Sequence, residues 1–322
     1  MHLITGGAGF IGSNIAKSLE KSSNDVIIID TIDHIYKSKN IKNIKYKKII
    51  SPNNLFTFID KNYKKIDVII HMGAISSTAE KRVKLLIENN LNFSKNLFKS
   101  CEKYKIKMIY ASSAATYGKG TLGFSDDNEL LKFIKLHPIN LYGLSKHLFD
   151  LYILEKYVLH TNLLSKPVGL KFFNVYGPNE LHKGFMMSPI PKFYKQIKAN
   201  KTINLYKSYH PEIASGMQSR DFIYIDDCVK IVNWFLENKS KTGIYNVGTG
   251  ISRTFLDLSK IIFKNLNYDF KVNYIPMPKK IKNGYQYMTR SDNKNLRKIG
   301  YKHKFTSLEA GVNDYINKFI KK

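Results

Sequence analysis

Thr5-Gly6-Gly7-Ala8-Gly9-Phe10-Ile11-Gly12 is the stretch on which the fold turns. The apolar run Leu3–Thr5 leads into it, and a helical pattern from about Ile11 to Lys21 leads out. Gly6, Gly9 and Gly12 form G-x-x-G-x-x-G. One glycine suits a tight turn, one a close backbone approach to a pyrophosphate, and one close packing of helix on sheet. The N–H groups at the start of such a helix face phosphates. Strand, glycine turn and helix in this order predict a dinucleotide site.

The pattern continues outward. Val26–Asp30, Ile44–Ile50, Val68–His71, Met108–Ser112 and Val168–Phe173 read as strands, with helical patterns over about 83–104 and 141–159. Strand–helix alternation predicts an α/β fold, a Rossmann-like doubly wound parallel sheet. The continuous apolar runs Val26–Ile29 and Val68–Ile70 suit parallel strands covered on both faces. After Phe173 the pattern loosens, with prolines at 178, 189, 191 and 211 and helical patterns near 226–237, 254–265 and 307–321. Residues 1–173 are expected to form the dinucleotide-binding Rossmann domain, to which segments near 220–250 return. Residues 174–322 are expected to be mainly a smaller substrate-binding lobe, sharing a tight cleft with it.

Composition narrows the classes. The chain has 322 residues, 43% hydrophobic and 24% charged, which is enough for a full core. No apolar run approaches the roughly 18 residues of a membrane helix. No signal segment precedes the first strand, so a cytoplasmic protein with no membrane partner is expected. Two cysteines exclude a disulfide framework and a cysteine zinc cluster, and no metal is expected. The net charge of +27 comes from 47 Lys and 5 Arg, scattered along the chain. Base readers lean on arginine forks, so no specific nucleic-acid partner is expected.

Two further groups complete the candidate site. Asp30 stands 18 residues after Gly12, where a carboxylate meets the adenosine ribose and favours NAD. Thr31, Lys37 and Lys39 follow it and could hold the 2′-phosphate of NADP instead. Gly73 and Ala74, after Met72, are small enough to let a cofactor cross the strand end. Tyr142-Gly143-Leu144-Ser145-Lys146 is Y-x-x-x-K, which puts Tyr142 and Lys146 on one helix face. A lysine cation beside the phenol is expected to lower its pKa toward neutrality. Ser113, 29 residues upstream at a strand end, could hydrogen-bond the reacting oxygen.

Together these residues resemble the extended short-chain dehydrogenase/reductases that act on nucleotide sugars, and most narrowly the ADP-heptose 6-epimerases. The resemblance runs over nearly the whole chain. Its general stretches are Thr5 to Asn14 and Phe173-Asn174-Val175-Tyr176-Gly177-Pro178. Its specific ones are Ser112-Ser113-Ala114-Ala115-Thr116-Tyr117-Gly118, His182-Lys183-Gly184 and Gly284-Tyr285-Gln286. It implies bound NADP, with NAD possible, a hydride removed from C6 of the heptose, a transient 6-keto sugar, and return of the hydride to the other face. It also implies two acid/base residues, Tyr142 and Lys183, and a homo-oligomer, in that family a homopentamer. The product would enter the lipopolysaccharide inner core.

The same resemblance places cofactor contacts at Phe10, Ile11, Asp30, Thr31, Lys37, Met72, Gly73, Ala74, Ile75, Ser76, Asn89, Lys146, Val175 and Lys183. Substrate contacts fall on Asn174, Phe185, Lys192, Arg220 and Tyr285, and on Tyr206 in the Tyr206–Tyr209 segment. There are departures. The usual arginine after Tyr-Gly-Pro is Asn179, and the small residue after His-Lys-Gly is Phe185, which would narrow the pocket or bend the loop. Lys192 stands where a histidine is usual, and an insertion covers about 209–218. Ala114 and Ala115 after Ser113 lack the carboxylates that a sugar 4,6-dehydratase needs. A UDP-sugar 4-epimerase shares Ser113, Tyr142 and Lys146. A binding protein without turnover is the alternative of another class, and the intact set argues against it.

Overall fold

The computed structural model describes residues 1–20, 25–32, 35–159, 167–282 and 285–321. Lys21, at the expected end of the first helix, and Gly284, in one of the specific stretches, lie outside the described residues. In chain order the strands are β1 His2–Thr5, β2 Val26–Ile29, β3 Lys48–Ile50, β4 Val68–His71, β5 Lys107–Ser113, β6 Val168–Phe172, β7 Asn174–Tyr176, β8 Ile203–Tyr206, β9 Ser219–Tyr224, β10 Gly243–Val247, β11 Ser252–Thr254 and β12 Val272–Ile275.

Seven of them make one sheet in the order β10-β6-β5-β4-β1-β2-β3, with every adjacent pair parallel. This is the doubly wound sheet that the alternation predicts. The chain order reverses between β1 and β4, and the glycine turn leaves β1 at that point. A ligand crevice opens at such a switch point, outside the carboxyl ends of the strands. All residues of β1, β2, β4, β6 and β10 are buried. Their side chains therefore face helices on both sides, which is why apolar runs rather than alternation mark them.

Two hydrophobic clusters flank the sheet. One holds Ile4, Ile28, Ile70 and Ile109 with the helices Phe10–Leu19 and Ile225–Glu237; the other holds Leu3, Ile27, Ile69 and Met108 with Leu97, Phe98 and Phe149. Successive residues of each strand thus enter opposite clusters, as the pleat requires. The segment after Phe173 forms two small sheets, β11-β9-β7 and β12-β8, while β10, which lies between β9 and β11 in the chain, returns to the main sheet beside β6. Sequence periodicity missed the Leu55–Asn62 and Pro189–Asn200 helices. Pro189 and Pro191 read as punctuation, yet proline is well placed in a first turn, where an N–H has no partner. The long pattern over 83–104 is helix throughout, but Ile87–Asn92 is a wider π turn.

Candidate active site

The glycine turn is built from backbone touching backbone. Gly6 has φ of 65°, and a Cβ there would lie 2.7 Å from Gly73 Cα, so the β1 and β4 turns meet with no side chain between them. A Cβ on Gly12 would lie 2.2 Å from the Gly6 oxygen, so the helix can sit this close only with glycine there. Gly9 is the N-cap of the Phe10–Leu19 helix and brings no side-chain acceptor to it. The first-turn amides thus keep their donors for a ligand, in a cradle that side chains at 6, 9 or 12 would fill. The residues fit the pyrophosphate of a dinucleotide.

Asp30 follows β2 and is turned back onto this loop. One oxygen accepts from Ala8 N at 3.0 Å; the other accepts from Thr31 N at 2.8 Å and Lys37 Nζ at 3.2 Å. Lys37 also donates to the Thr31 carbonyl at 3.1 Å. The carboxylate that favours NAD is therefore engaged by the loop and by the very lysine that would favour NADP. Lys39 is exposed.

On the β4 side, Thr5 Oγ1 accepts from Gly73 N at 3.1 Å and lies 2.6 Å from His71 Nδ1. His71 Nε2 lies 2.8 Å from Ser94 Oγ, which donates to the Asn90 carbonyl at 2.6 Å. One proton arrangement satisfies the chain: Thr5 donates to Nδ1, and Nε2–H donates to Ser94. Burial, with Lys146 adding to it, lowers the His71 pKa to about 3, so the ring is neutral. Asn90 is the other buried anchor. Its amide accepts from Ile75 N at 2.9 Å and donates to the Ile75 carbonyl at 3.0 Å and to Ser145 Oγ at 2.9 Å. It ties the Met72–Ser76 loop to the helix that carries Tyr142 and Lys146. Asn89, the asparagine that the resemblance marks, is exposed and donates to the Leu85 carbonyl at 2.9 Å. Both sit in the π turn, a feature often found at functional sites. Two adjacent asparagines in one helix carried no sequence signal to tell which of them turns inward.

β5 ends at Ser113, whose hydroxyl accepts from Ala115 N at 3.1 Å and caps the short Ala114–Tyr117 turn. The Leu141–Leu159 helix begins beside it. A Cβ on Gly143 would lie 2.7 Å from the Ala115 oxygen, so the glycine after Tyr142 lets helix and turn touch. Tyr142 is half-buried with Ser113 as a hydrogen-bond partner. Lys146 is 4% exposed and donates to the Ala111 carbonyl at 2.9 Å.

The expectation that Lys146 lowers the Tyr142 pKa does not hold. Burial pushes the phenol up, and the contact that pulls it down is Ser113. Lys146 is itself lowered to about 8 by burial, partly offset by Asp150.

Lys183 reaches this end of the sheet from far along the chain. Its loop is pinned by three asparagines. Asn14 donates to the Pro178 carbonyl at 3.1 Å, Asn40 to the Asn179 carbonyl at 3.1 Å, and Asn179 to Ser13 Oγ at 3.0 Å. Asn179 has φ of 73°, a conformation asparagine tolerates better than arginine, which gives that departure a local reason. Glu180, fully buried, accepts from Ser188 N and, at 2.7 Å, from Ser188 Oγ, closing the loop. Lys183 Nζ then stands 5.6 Å from the centre of the Phe10 ring, and burial lowers its pKa. Phe185 does not narrow the pocket: its side chain is 73% exposed, and the loop bends instead at Gly184, with φ of 52°. Lys192 Nζ donates to the Phe185 carbonyl at 2.6 Å.

A second group gathers on the small sheets. Arg220 on β9 is buried, with its guanidinium 5.2 Å from the Tyr285 ring and 5.6 Å from that of Phe255. Among the described residues no carboxylate lies in ion-pair range of it. Asp221 faces the other way and accepts from Thr249, Gly250 and Ser291. Asn174 on β7 accepts from Thr289 Oγ1 at 3.1 Å. Val175 follows it, half-buried, and Tyr206 ends β8, where its carbonyl accepts from Gln218. The segment 209–218 is a loop, pinned by Ser215 Oγ accepting from Ser208 N and by the Gly216 carbonyl accepting from Leu256 N.

A cofactor cradle after β1, with a Ser/Tyr/Lys set at the end of β5 and a buried arginine on β9, defines a nicotinamide-dependent enzyme of the short-chain dehydrogenase/reductase kind. Residues 2–248 match the model of the NAD dependent epimerase/dehydratase family, and the chain belongs to that family. It is 41% identical over 326 residues to ADP-L-glycero-D-manno-heptose-6-epimerase of Nitratidesulfovibrio vulgaris, covering 99% of this chain and 98% of the relative. The crystal structure of the Helicobacter pylori ADP-L-glycero-D-manno-heptose-6-epimerase superposes with a TM-score of 0.80 at 29% identity, covering 98% of this chain and 94% of that one. UDP-N-acetylglucosamine 4-epimerase from Methanobrevibacter ruminantium superposes with a TM-score of 0.83 at 28% identity, covering 99% and 98%. Fold similarity therefore does not separate 6-epimerases from 4-epimerases. Among the described residues, no helix is long and apolar enough to cross a membrane.

Proposed function

We propose that this chain interconverts ADP-D-glycero-D-manno-heptose and ADP-L-glycero-D-manno-heptose at C6, using tightly held NADP, as a cytoplasmic homo-oligomer. The observation that carries the reading is the Ser113, Tyr142 and Lys146 set beside a glycine cradle, in a chain that matches a curated heptose epimerase over its full length at 41% identity. When bound, the nicotinamide supplies a hydride acceptor that later becomes the donor. The chain supplies position and protons. The glycine cradle would take the pyrophosphate. Lys37, beside Asp30 and Thr31, would turn to the 2′-phosphate, and this favours NADP over NAD.

Ser113 and Tyr142 would hold the C6 hydroxyl between them, and Tyr142 would exchange its proton. The opposite C6 epimer presents its hydroxyl in another direction. One fixed base does not reach both, since useful transfer needs roughly 2.6–3.2 Å between heavy atoms. Lys183, lowered by burial and held on a separate loop, would serve the second epimer. Arg220 with Tyr285 would take the diphosphate, which a guanidinium fork matches. Residues 1–173 with the return near 220–250 would carry the cofactor, and the rest mainly the sugar nucleotide.

The test is to incubate purified protein with each ADP-heptose epimer and follow interconversion by NMR, with cofactor identified after denaturation. Conversion of both epimers with NADP released is expected. Protein that is inert toward both but interconverts UDP-sugars at C4 would replace this reading with a 4-epimerase. NAD alone in the denatured sample would overturn the NADP assignment.

A further inference from the structure

Behind the catalytic set lies an ion pair that the chemistry above does not use. Lys171 Nζ and Asp150 Oδ2 are 2.6 Å apart, and both side chains are 0% exposed. A buried pair of this kind is weak evidence for stability, because desolvation offsets much of the attraction. Its surroundings suggest another role. Tyr142, Lys146 and Asp150 follow one another at intervals of four along the Leu141–Leu159 helix and share a face. Asp150 also accepts from Ser112 Oγ at 2.6 Å and Tyr110 OH at 3.1 Å, both on β5. Lys171 on β6 lies directly across from Ser112 in the sheet register. It donates to Thr116 Oγ1 at 2.7 Å, and Thr116 Oγ1 donates to the Ser113 carbonyl at 2.8 Å. The pair thus grips the chain on both sides of Ser113 and fastens it to the helix of Tyr142.

We propose that Asp150 and Lys171 are positioning residues for the reaction: together they hold Ser113 against Tyr142, and the Asp150 carboxylate sets the field in which Tyr142 exchanges its proton. The inference rests on Tyr142 being the acid/base group, as in the reading above. The groups facing the pair can be named. They are Tyr110 and Ser112 from β5, Thr116 and Tyr117 from the turn, and Lys146 and His147 from the helix itself. Asp126 acts on Lys171 and Tyr117, and His137 acts on His147. Of these, only Asp150 and Ser113 act appreciably on the Tyr142 phenol: the carboxylate raises its pKa and the hydroxyl lowers it. The carboxylate also holds Lys146 up against its burial.

Eight residues of helix separate Tyr142 and Asp150, about 12 Å. At a protein-like dielectric, one charge at that range moves a pKa by about one unit. The readout is the near-ultraviolet tyrosinate absorbance of the holoprotein, taken as the difference between each protein and its own Tyr142→Phe counterpart. It needs no sugar substrate. Asp150→Asn should bring the Tyr142 titration down by about one pH unit, and Lys171→Met should leave it at or above the wild-type value. The double variant removes both charges together and leaves none buried without a partner, so it folds where a single variant fails; its titration should also fall. The rising limb of the epimerisation pH profile should move the same way, and Asp150→Glu should restore it. An unchanged tyrosinate titration in Asp150→Asn or in the double variant overturns the inference. If the wild type does not epimerise ADP-heptose, the substrate reading fails while the titration still decides this one.

Discussion

Gly12→Ala puts the closeness of the cofactor turn to direct test. Gly12 is buried in the first turn of the Phe10–Leu19 helix with ordinary helical dihedrals, so alanine brings no backbone strain there. By propensity alone the change would stabilise the helix by about 1 kcal/mol. Against this, the new Cβ would lie 2.2 Å from the Gly6 oxygen, 2.8 Å from the Gly6 carbonyl carbon and 2.9 Å from Gly7 Cα. All three are backbone atoms, which cannot swing aside as a side chain would. Overpacking of this kind costs about 1–3 kcal/mol, and contacts this short belong at the upper end. The steric effect wins, with a net loss of about 2 kcal/mol.

For a chain of 322 residues, an unfolding entropy of about 2 cal/mol/K per residue turns that into a fall in Tm of about 3 °C. The helix must retreat, so its first-turn amides leave the pyrophosphate, and cofactor should be lost on purification. Gly9→Ala is the control. Its Cβ would meet only the Gly6 oxygen, at 3.1 Å, so Tm should stay near wild type while cofactor affinity falls. The assays are thermal melts of protein as purified and cofactor content after denaturation. A Gly12→Ala protein that melts at or above wild type with a full complement of cofactor would refute the reasoning.

Tyr142→Phe and Lys183→Met should each reduce epimerisation by about 10²–10⁴-fold while cofactor is retained, the size expected of positioned acid/base groups; a wild-type rate in Lys183→Met would leave Tyr142 as the sole base. Lys37→Ala should weaken NADP binding about 10- to 100-fold and leave NAD unaffected, measured by titration of stripped protein, since one charge-assisted contact is worth roughly 1.5–3 kcal/mol. Lys146 has a pKa of about 8 in the folded chain, lowered chiefly by burial, against about 10.4 for the free side chain. The unfolded chain then holds more protons between those values, so this residue's contribution to stability rises as pH climbs from about 8 to about 10.4. Lys146→Met should accordingly show its greatest gain in denaturation midpoint over wild type at neutral pH, and the gap should narrow by pH 10; a gap that stays constant contradicts the assignment. His71 should show no titration by NMR from pH 5 to 9, with its proton on Nε2, because burial keeps it neutral.

What the sequence determined by itself is what depends on neighbours in the chain. The Gly6, Gly9 and Gly12 spacing specifies a strand–turn–helix, because the positive φ of Gly6 and the close contacts at Gly9 and Gly12 arise within a dozen residues. Tyr142 and Lys146 share a face because four residues make about one helical turn. The apolar runs at β2 and β4 announce strands covered on both sides. The tertiary structure decided the rest. Lys183 is held near Phe10 by long-range hydrogen bonds, those of Asn14, Asn40 and Asn179. Asn90 rather than Asn89 faces inward because a π turn changes the helical phase at that point, a shift of one residue with no compositional mark. Phe185 points to solvent because Gly184 bends the loop first. The acidity of Tyr142 is set by burial, by Ser113 and by Asp150, and the pair behind it forms where β6 delivers Lys171 to a helix that began far earlier in the chain. Burial and the partner of a buried charge are properties of packing, and packing joins residues that the chain keeps apart.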